Sequence, residues 1–212
     1  QYPVCLDIVI PPGLGIAGSA VYREGKLVQM RHISGLNFRV SHAVTGCAEP
    51  LFRQICPERP SSLLLAGAVG SGKTTMLRDL CRLLGASWRL TLVDERSEIA
   101  AVHHGVPQYD VGLHTDVLDG FPRAEGLLTA LRVLTPEVLV CDEISTEADA
   151  QAILRIHGSG VPVVASAHGT SLEDLERRPA LKQLLDKGVF RYAAVLSGRE
   201  QGKVQTLRRV VP

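Results

Sequence analysis

An α/β fold, with a mostly parallel sheet flanked by helices and a small N-terminal α+β region, is what this 212-residue sequence predicts. Three observations carry the prediction. From residue 62 onward, short apolar runs alternate with longer segments of helical period, the rhythm of a parallel sheet covered on both faces. The runs "SLLLA", "WRLTLV", "VLVC" and "VPVVASA" are continuously apolar, as strands buried on both faces require. The chain is 45% hydrophobic and 21% charged, the composition of an ordinary globular domain able to bury such a sheet.

In chain order, "QYPVCLDIVIPPG" is apolar but lacks a basic n-region and contains Asp7 and paired prolines. It reads as a strand over residues 4–10 rather than a signal peptide. Gln1 in place of a starting Met leads us to expect a fragment or a processed chain. Residues 16–40 read as strands and hairpins, with "AVYREGKLVQM" folding around a Glu-Gly turn. A helix is expected from Ser41 to Cys56. The Pro- and Ser-rich "PERPSS" at 57–62 is the best linker in the chain, so residues 1–56 are expected to form the N-terminal region and 57–212 the main domain.

Within the main domain, "KTTMLRDLCRLLG" places Met76, Leu77, Leu80, Cys81 and Leu84 on one helical side, with Gly85 as its stop. Residues 99–122, broken by Gly105, Pro107, Gly112, Gly120 and Pro122, read as a long loop. "RAEGLLTALRVL" is a helix closed by Pro136, and "TEADAQAILRIHGSG" is one with acids in its first turn. Thr170 and Glu173 fit a T-x-x-E capping box. A helix from Pro179 to Gly188 and a closing hairpin, "VFRYAAVLS" with "KVQTLRRV", complete the chain.

"GAVGSGKTT", residues 67–75, fits G-x-x-x-x-G-K-[ST] between a buried strand and a helix. Gly67, Gly70 and Gly72 let the backbone curl so that its N–H groups, including that of Ser71, surround phosphate oxygens. The helix N-terminus adds positive potential. Lys73 is placed to reach the β- and γ-phosphates, Thr74 to coordinate Mg²⁺, and Thr75 to continue the cradle. Such a P-loop needs an acidic Mg²⁺ anchor at the end of another buried strand. "VLVCDE" supplies one: Asp142 as the water-mediated Mg²⁺ partner, and Glu143 to orient the attacking water.

"TLVDERSEIA" ends a third strand in Asp94, Glu95 and Glu98 around Arg96. Strand ends on the carboxyl side of a parallel sheet face the ligand crevice. One of these acids is expected to hold the Mg²⁺ water shell, with Glu95 the candidate. Another, Glu98, is a candidate to activate the lytic water alongside Glu143. The alternative is a solvated ion-pair turn. His168, closing the strand in "ASAHGTS", is a candidate γ-phosphate contact or otherwise a local hydrogen-bonding group. His103, His104 and His114 lack recognisable metal-ligand spacing. Five scattered cysteines without C-x-x-C read as buried thiols in a reducing cytoplasm. A net charge of +1 and 4% aromatic residues argue against a nucleic-acid surface, which needs a basic stripe with stacking rings.

The order of P-loop, acidic box, Asp-Glu strand end and His box resembles the RecA-like ATPases of type II and type IV secretion systems. That resemblance implies that the His168 strand lies between those of Lys73 and Asp142. "MRHISGLNFRV", "VDERSEIA", "GVPQYDVGLHTDVLDGFPRAEG", "LRVLTPEVLVCDEI", "AHGTSLEDL" and "RRPALKQLLDKGVF" together resemble the stage III sporulation protein AA family over most of residues 16–196. The resemblance implies a Mg²⁺-dependent ATPase energising a secretion-like channel complex between mother cell and forespore. It implies a homo-oligomeric ring, expected to be a hexamer, with membrane components of the channel as partners. It also implies a location in the mother-cell cytoplasm, peripheral to the membrane through those partners. A trans arginine would then come from among Arg39, Arg123, Arg132 and Arg178. The alternative function is a RecA-fold ATPase acting on nucleic acid.

Overall fold

The computed structural model describes residues 14–38, 43–198, 200 and 202–210. The expected strand at 4–10, the start of the expected helix at Ser41, and Arg39 lie outside these residues. The chain divides into two compact units, residues 1–42 and 43–212. Residues 43–56, expected on the N-terminal side of a boundary at 56/57, therefore fold with the larger unit. The reason is packing: Leu51 and Ile55 are buried in the same core as Leu77 and Leu80.

In the smaller unit, β1 (Leu14–Arg23) and β2 (Lys26–Phe38) form an antiparallel hairpin. Its turn is the Glu-Gly pair expected from sequence, with Glu24 at φ 49 and Gly25 at φ 75. Two successive positive φ values match the twist of the flanking strands.

The larger unit begins with α1 (Glu49–Ile55), followed by β3 (Leu63–Gly67), α2 (Lys73–Gly85) and β4 (Leu90–Asp94). Then come β5 (Thr115–Asp119), α3 (Arg123–Val133), β6 (Val138–Cys141), α4 (Glu147–Gly158) and β7 (Val163–His168). The chain closes with α5 (Leu172–Glu176), α6 (Pro179–Asp186), β8 (Tyr192–Leu196) and β9 (Val204–Arg209). One seven-stranded sheet runs in the order β5-β4-β6-β7-β3-β8-β9. Its pairs are parallel except β8 with β9, the expected hairpin at one edge.

Alternate residues of the inner strands face opposite layers, as the two-residue period of a strand dictates. Leu64 and Ala66 of β3 join the core made with α3, α4, α5 and α6. Leu63 and Leu65 join the core made with α1 and α2.

Two local expectations are corrected. The segment read as a loop over 99–122 contains β5, which pairs in parallel with β4 from Leu90↔Thr115 to Asp94↔Asp119. Its half-buried "TDVLD" pattern is that of a sheet edge, which carries little apolar signal. The cap of α5 is Ser171 rather than Thr170. Ser171 is extended (φ −155) and its side chain accepts from Asp174 N at 3.2 Å, while Thr170 N–H donates to Asp174 Oδ2 at 3.1 Å. A reciprocal capping box occurs instead on α4, between Thr146 and Asp149.

Candidate functional site

The strand order brings three carboxyl-end strand tips side by side: β3 with the glycine loop, β7 with His168, and β6 with Asp142 and Glu143 just beyond it. β7 lies between β3 and β6, and Gly67 is in register with His168. Gly70 (φ 76) and Gly72 (φ 95) take left-handed conformations that glycine adopts at little cost. Gly67 is needed for space, because a Cβ there would run into Ser71 Oγ.

Ser71 Oγ donates to Ala68 O at 2.9 Å, closing the loop on itself. Lys73 Nζ donates to Gly67 O and Ala68 O, both at 2.9 Å. Burial pulls the Lys73 pKa below the ordinary lysine value, while the Glu143 and Asp142 carboxylates push it up. The lysine thus lies in the field of both acids at the end of β6. Thr74 and Thr75 open the first turn of α2, both half-buried. Gly202 N–H donates to Ser71 O at 2.8 Å, tying the β8–β9 connection to the loop.

Sequence reasoning missed Ser166, a fully buried residue of β7. Its hydroxyl donates to Asp142 Oδ1 and accepts from Glu143 N–H at 2.9 Å, and its carbonyl accepts from Ile144 N–H at 2.8 Å. The available signal was one hydroxyl inside the apolar run "VVASA". Glu143 itself has φ 42, a left-handed backbone in a non-glycine residue. Such a conformation costs on the order of 1–3 kcal/mol and persists where surrounding contacts over-determine it. Arg96 Nη1 meets Glu143 Oε2 at 3.0 Å.

The acids at and after the end of β4 divide into three roles. Asp94 is buried and serves the backbone: it accepts from the N–H groups of Glu98 at 3.0 Å and of Ile99 and Ala100 at 2.9 Å each. Glu95 meets Arg123 Nη2 at 2.7 Å, so its carboxylate is engaged by that guanidinium. Glu98 lies in the field of Asp142 and Glu143. Burial raises its pKa, and the Asp142, Asp94 and Glu143 carboxylates add to that against the opposing Arg96. The alternative, a solvated turn in which Arg96 pairs with these acids, is not what forms: Arg96 pairs with Glu143 beyond β6, and Glu95 with Arg123 of α3.

Arg123 is only 6% exposed and spans Glu95 and Asp149, the latter at 3.1 Å. As a trans-arginine candidate it is therefore spent within its own chain. Arg132 Nε donates to Leu128 O at 3.2 Å, and Arg178 lies 3.7 Å from Asp174.

Among the described residues, no group of three or more His, Cys, Asp or Glu is arranged to hold a metal ion. The donors on offer, the Thr74 hydroxyl and the Asp142 carboxylate, fit an ion that keeps most of its water and shares phosphate oxygens, as Mg²⁺ does.

The family described as Sporulation stage III, protein AA matches residues 8–209. Stage III sporulation protein AA of Bacillus subtilis (strain 168) is 38% identical over 201 residues, which take in 92% of this chain and 66% of that protein. The chain thus spans just under two thirds of that relative's length. Among solved structures, the ATPase DotB of Legionella pneumophila is similar with a TM-score of 0.57 at 18% identity, over 76% of this chain and 47% of that one. The VirB11 ATPase of the Brucella suis type IV secretion system, in complex with sulphate, gives 0.55 at 18% identity, over 75% and 50%. At that identity the likeness shows the fold, the RecA-like one of secretion ATPases. With the family matched along nearly its whole length, the chain belongs to the sporulation stage III protein AA family.

Proposed function

We propose that the chain hydrolyses ATP with Mg²⁺ and that turnover energises assembly of, or transport through, a secretion-like channel complex between mother cell and forespore. The observation that carries the reading is the juxtaposition of three strand tips. The glycine loop and Lys73 lie on β3, His168 on its neighbour β7, and Asp142 with Glu143 after β6. Lys73 lies in the field of both acids.

In this reading the loop N–H groups from Gly67 to Thr74 and the α2 N-terminus bind the phosphates. Lys73 exchanges its two carbonyl partners for phosphate oxygens, a charge-assisted contact. Bound Mg²⁺ would neutralise developing charge on the phosphates, held through Thr74 and, across water, Asp142. Ser166 fixes Asp142 and the backbone of Glu143. Glu143 and Glu98 are the candidates to orient the lytic water, and His168 to contact the γ-phosphate. Glu95, expected near the Mg²⁺ water shell, acts there only after leaving Arg123.

A homo-oligomeric ring, membrane components of the channel as partners, and a mother-cell cytoplasmic location belong to the same proposal. It rests on the family relationship. Among the described residues no helix is long and apolar enough to cross a membrane.

Glu143→Gln and Glu98→Gln test the chemistry. Each should retain MgATP binding, and at least one should lose turnover by ~10²-fold or more, as expected for removal of a transition-state group. Wild-type turnover in both would remove both acids from the water-orienting role.

A further inference from the structure

The segment that carries Glu98 is held by two buried charges of opposite sign. From one side, Asp94 accepts the N–H groups of residues 98, 99 and 100. From the other, Arg78 of α2 takes the carbonyls: its Nη2 donates to Glu98 O at 2.7 Å and its Nε to Ile99 O at 2.8 Å. The remaining carbonyl, Ala100 O, accepts from the N–H groups of Gln108 at 2.9 Å and Tyr109 at 3.3 Å. The Tyr109 ring in turn lies under the guanidinium, with Cζ 3.8 Å from its centroid.

Both Arg78 and Asp94 are buried. A buried guanidinium carries a desolvation cost that an apolar side chain of similar volume would not. What arginine supplies is its planar fork, which reaches two neighbouring carbonyls at once and stacks flat on a ring. The fork projects from the same helix that begins with Lys73 and Thr74. The phosphate-binding end of α2 and the Glu98 segment are therefore one mechanical piece, joined through Arg78.

We propose that Arg78 is a positioning residue: by gripping the carbonyls of Glu98 and Ile99 it sets where the Glu98 carboxylate stands relative to the helix that carries Lys73 and Thr74. The proposal rests on the reading that Glu98 acts on the lytic water. Arg78 touches no phosphate in this scheme, so its loss should be felt in kcat rather than in nucleotide affinity. A merely structural role would lower both, or neither.

The test uses Arg78→Lys in the full chain, which keeps the charge but not the fork. The expected result is a kcat lower by about tenfold or more, with affinity for a fluorescent ADP analogue within about twofold of wild type. Amide hydrogen exchange should accelerate at residues 98–100 while the strands of the sheet keep their protection. Wild-type kcat, or an affinity loss as large as the loss in kcat, overturns the proposal.

Should Arg78→Lys fail to fold, Tyr109→Leu decides, because Tyr109 is half-exposed and its loss takes away the ring that holds the guanidinium plane against the two carbonyls. It should lower kcat by about threefold at unchanged affinity, and wild-type kcat there overturns the clamp. Glu98→Gln separates the two layers of the argument. If it turns over normally, the role of Glu98 fails and the clamp with it. If it is impaired while the Arg78 and Tyr109 variants are not, the clamp alone fails.

Discussion

Ser166 Oγ joins the Asp142 carboxylate to the Glu143 N–H inside a strand with no solvent access. Replacing it with alanine leaves both groups without that partner. Both residues are only half-buried, so the loss is that of ordinary hydrogen bonds, about 0.5–1.5 kcal/mol each. Ser166→Ala should therefore lower the unfolding free energy by that amount in urea denaturation and, under the proposed activity, slow ATP turnover in a steady-state assay. Asp149 gives a second expectation at this scale. Burial pushes its carboxyl up, but the Thr146 and Ser145 N–H groups, the Thr146 hydroxyl and Arg123 outweigh it and hold the pKa below the ordinary aspartate value. An acid held low in the fold contributes stability above its unfolded pKa, and that contribution disappears as pH falls through the folded one. Asp149→Asn should thus lower the melting temperature at neutral pH, with the difference from wild type shrinking below about pH 4. The conformation of the glycine loop and the strand tip that carries Asp142 were legible at residue level because their geometry is local in sequence. Ser166, Arg78 and the Arg123 pairs were not, since their partners are set by sheet order and helix packing.

Among elements, α2 and β5 meet at a point where no side chain fits. A Cβ on Gly85 would run into Thr115 Oγ1 and lie 2.7 Å from Val111 O. His114 N–H already donates to Gly85 O at 2.7 Å, so the backbone there cannot easily retreat. Gly85→Ala should destabilise the chain by about 1–3 kcal/mol, the usual cost of overpacking, with loss of amide protection concentrated in β5. Thr146→Ala, which removes the α4 cap, should cost ~1 kcal/mol in the same denaturation measurement. The inner strands and long helices were readable because burial on both faces, or a 3.6-residue period, marks them strongly. β5 was hidden because an edge strand with two aspartates carries neither mark. The α5 cap slipped by one residue because "TSLED" offers two overlapping solutions, Thr170 with Glu173 and Ser171 with Asp174, and only the backbone conformation selects between them.

For the whole molecule, both apolar layers of the larger unit are built, among the described residues, from Cys47 onward. Residues 43–212 should accordingly fold without 1–42, giving one cooperative thermal transition by circular dichroism. If the proposed ring forms and a neighbouring arginine completes the site, specific activity should rise with protein concentration. A trans arginine is worth roughly 10³–10⁵ in rate in P-loop enzymes. The parallel sheet was legible as a class, and the position of β7 between β3 and β6 was implied by family resemblance. The division at 42/43 was not, because "PERPSS" marks a loop on the surface of the larger unit rather than its border. The central place of β3 also bears on how the chain reaches its native state. β3 opens the sheet in sequence, yet both of its neighbours, β7 and β8, come after β4, β5 and β6, and the Val163 N–H bond to Ser62 Oγ closes across 101 positions. During synthesis the first core strand must wait, apolar on both sides, while about 100 further residues are made. Slow, chaperone-assisted maturation is the expected consequence of that delayed pairing.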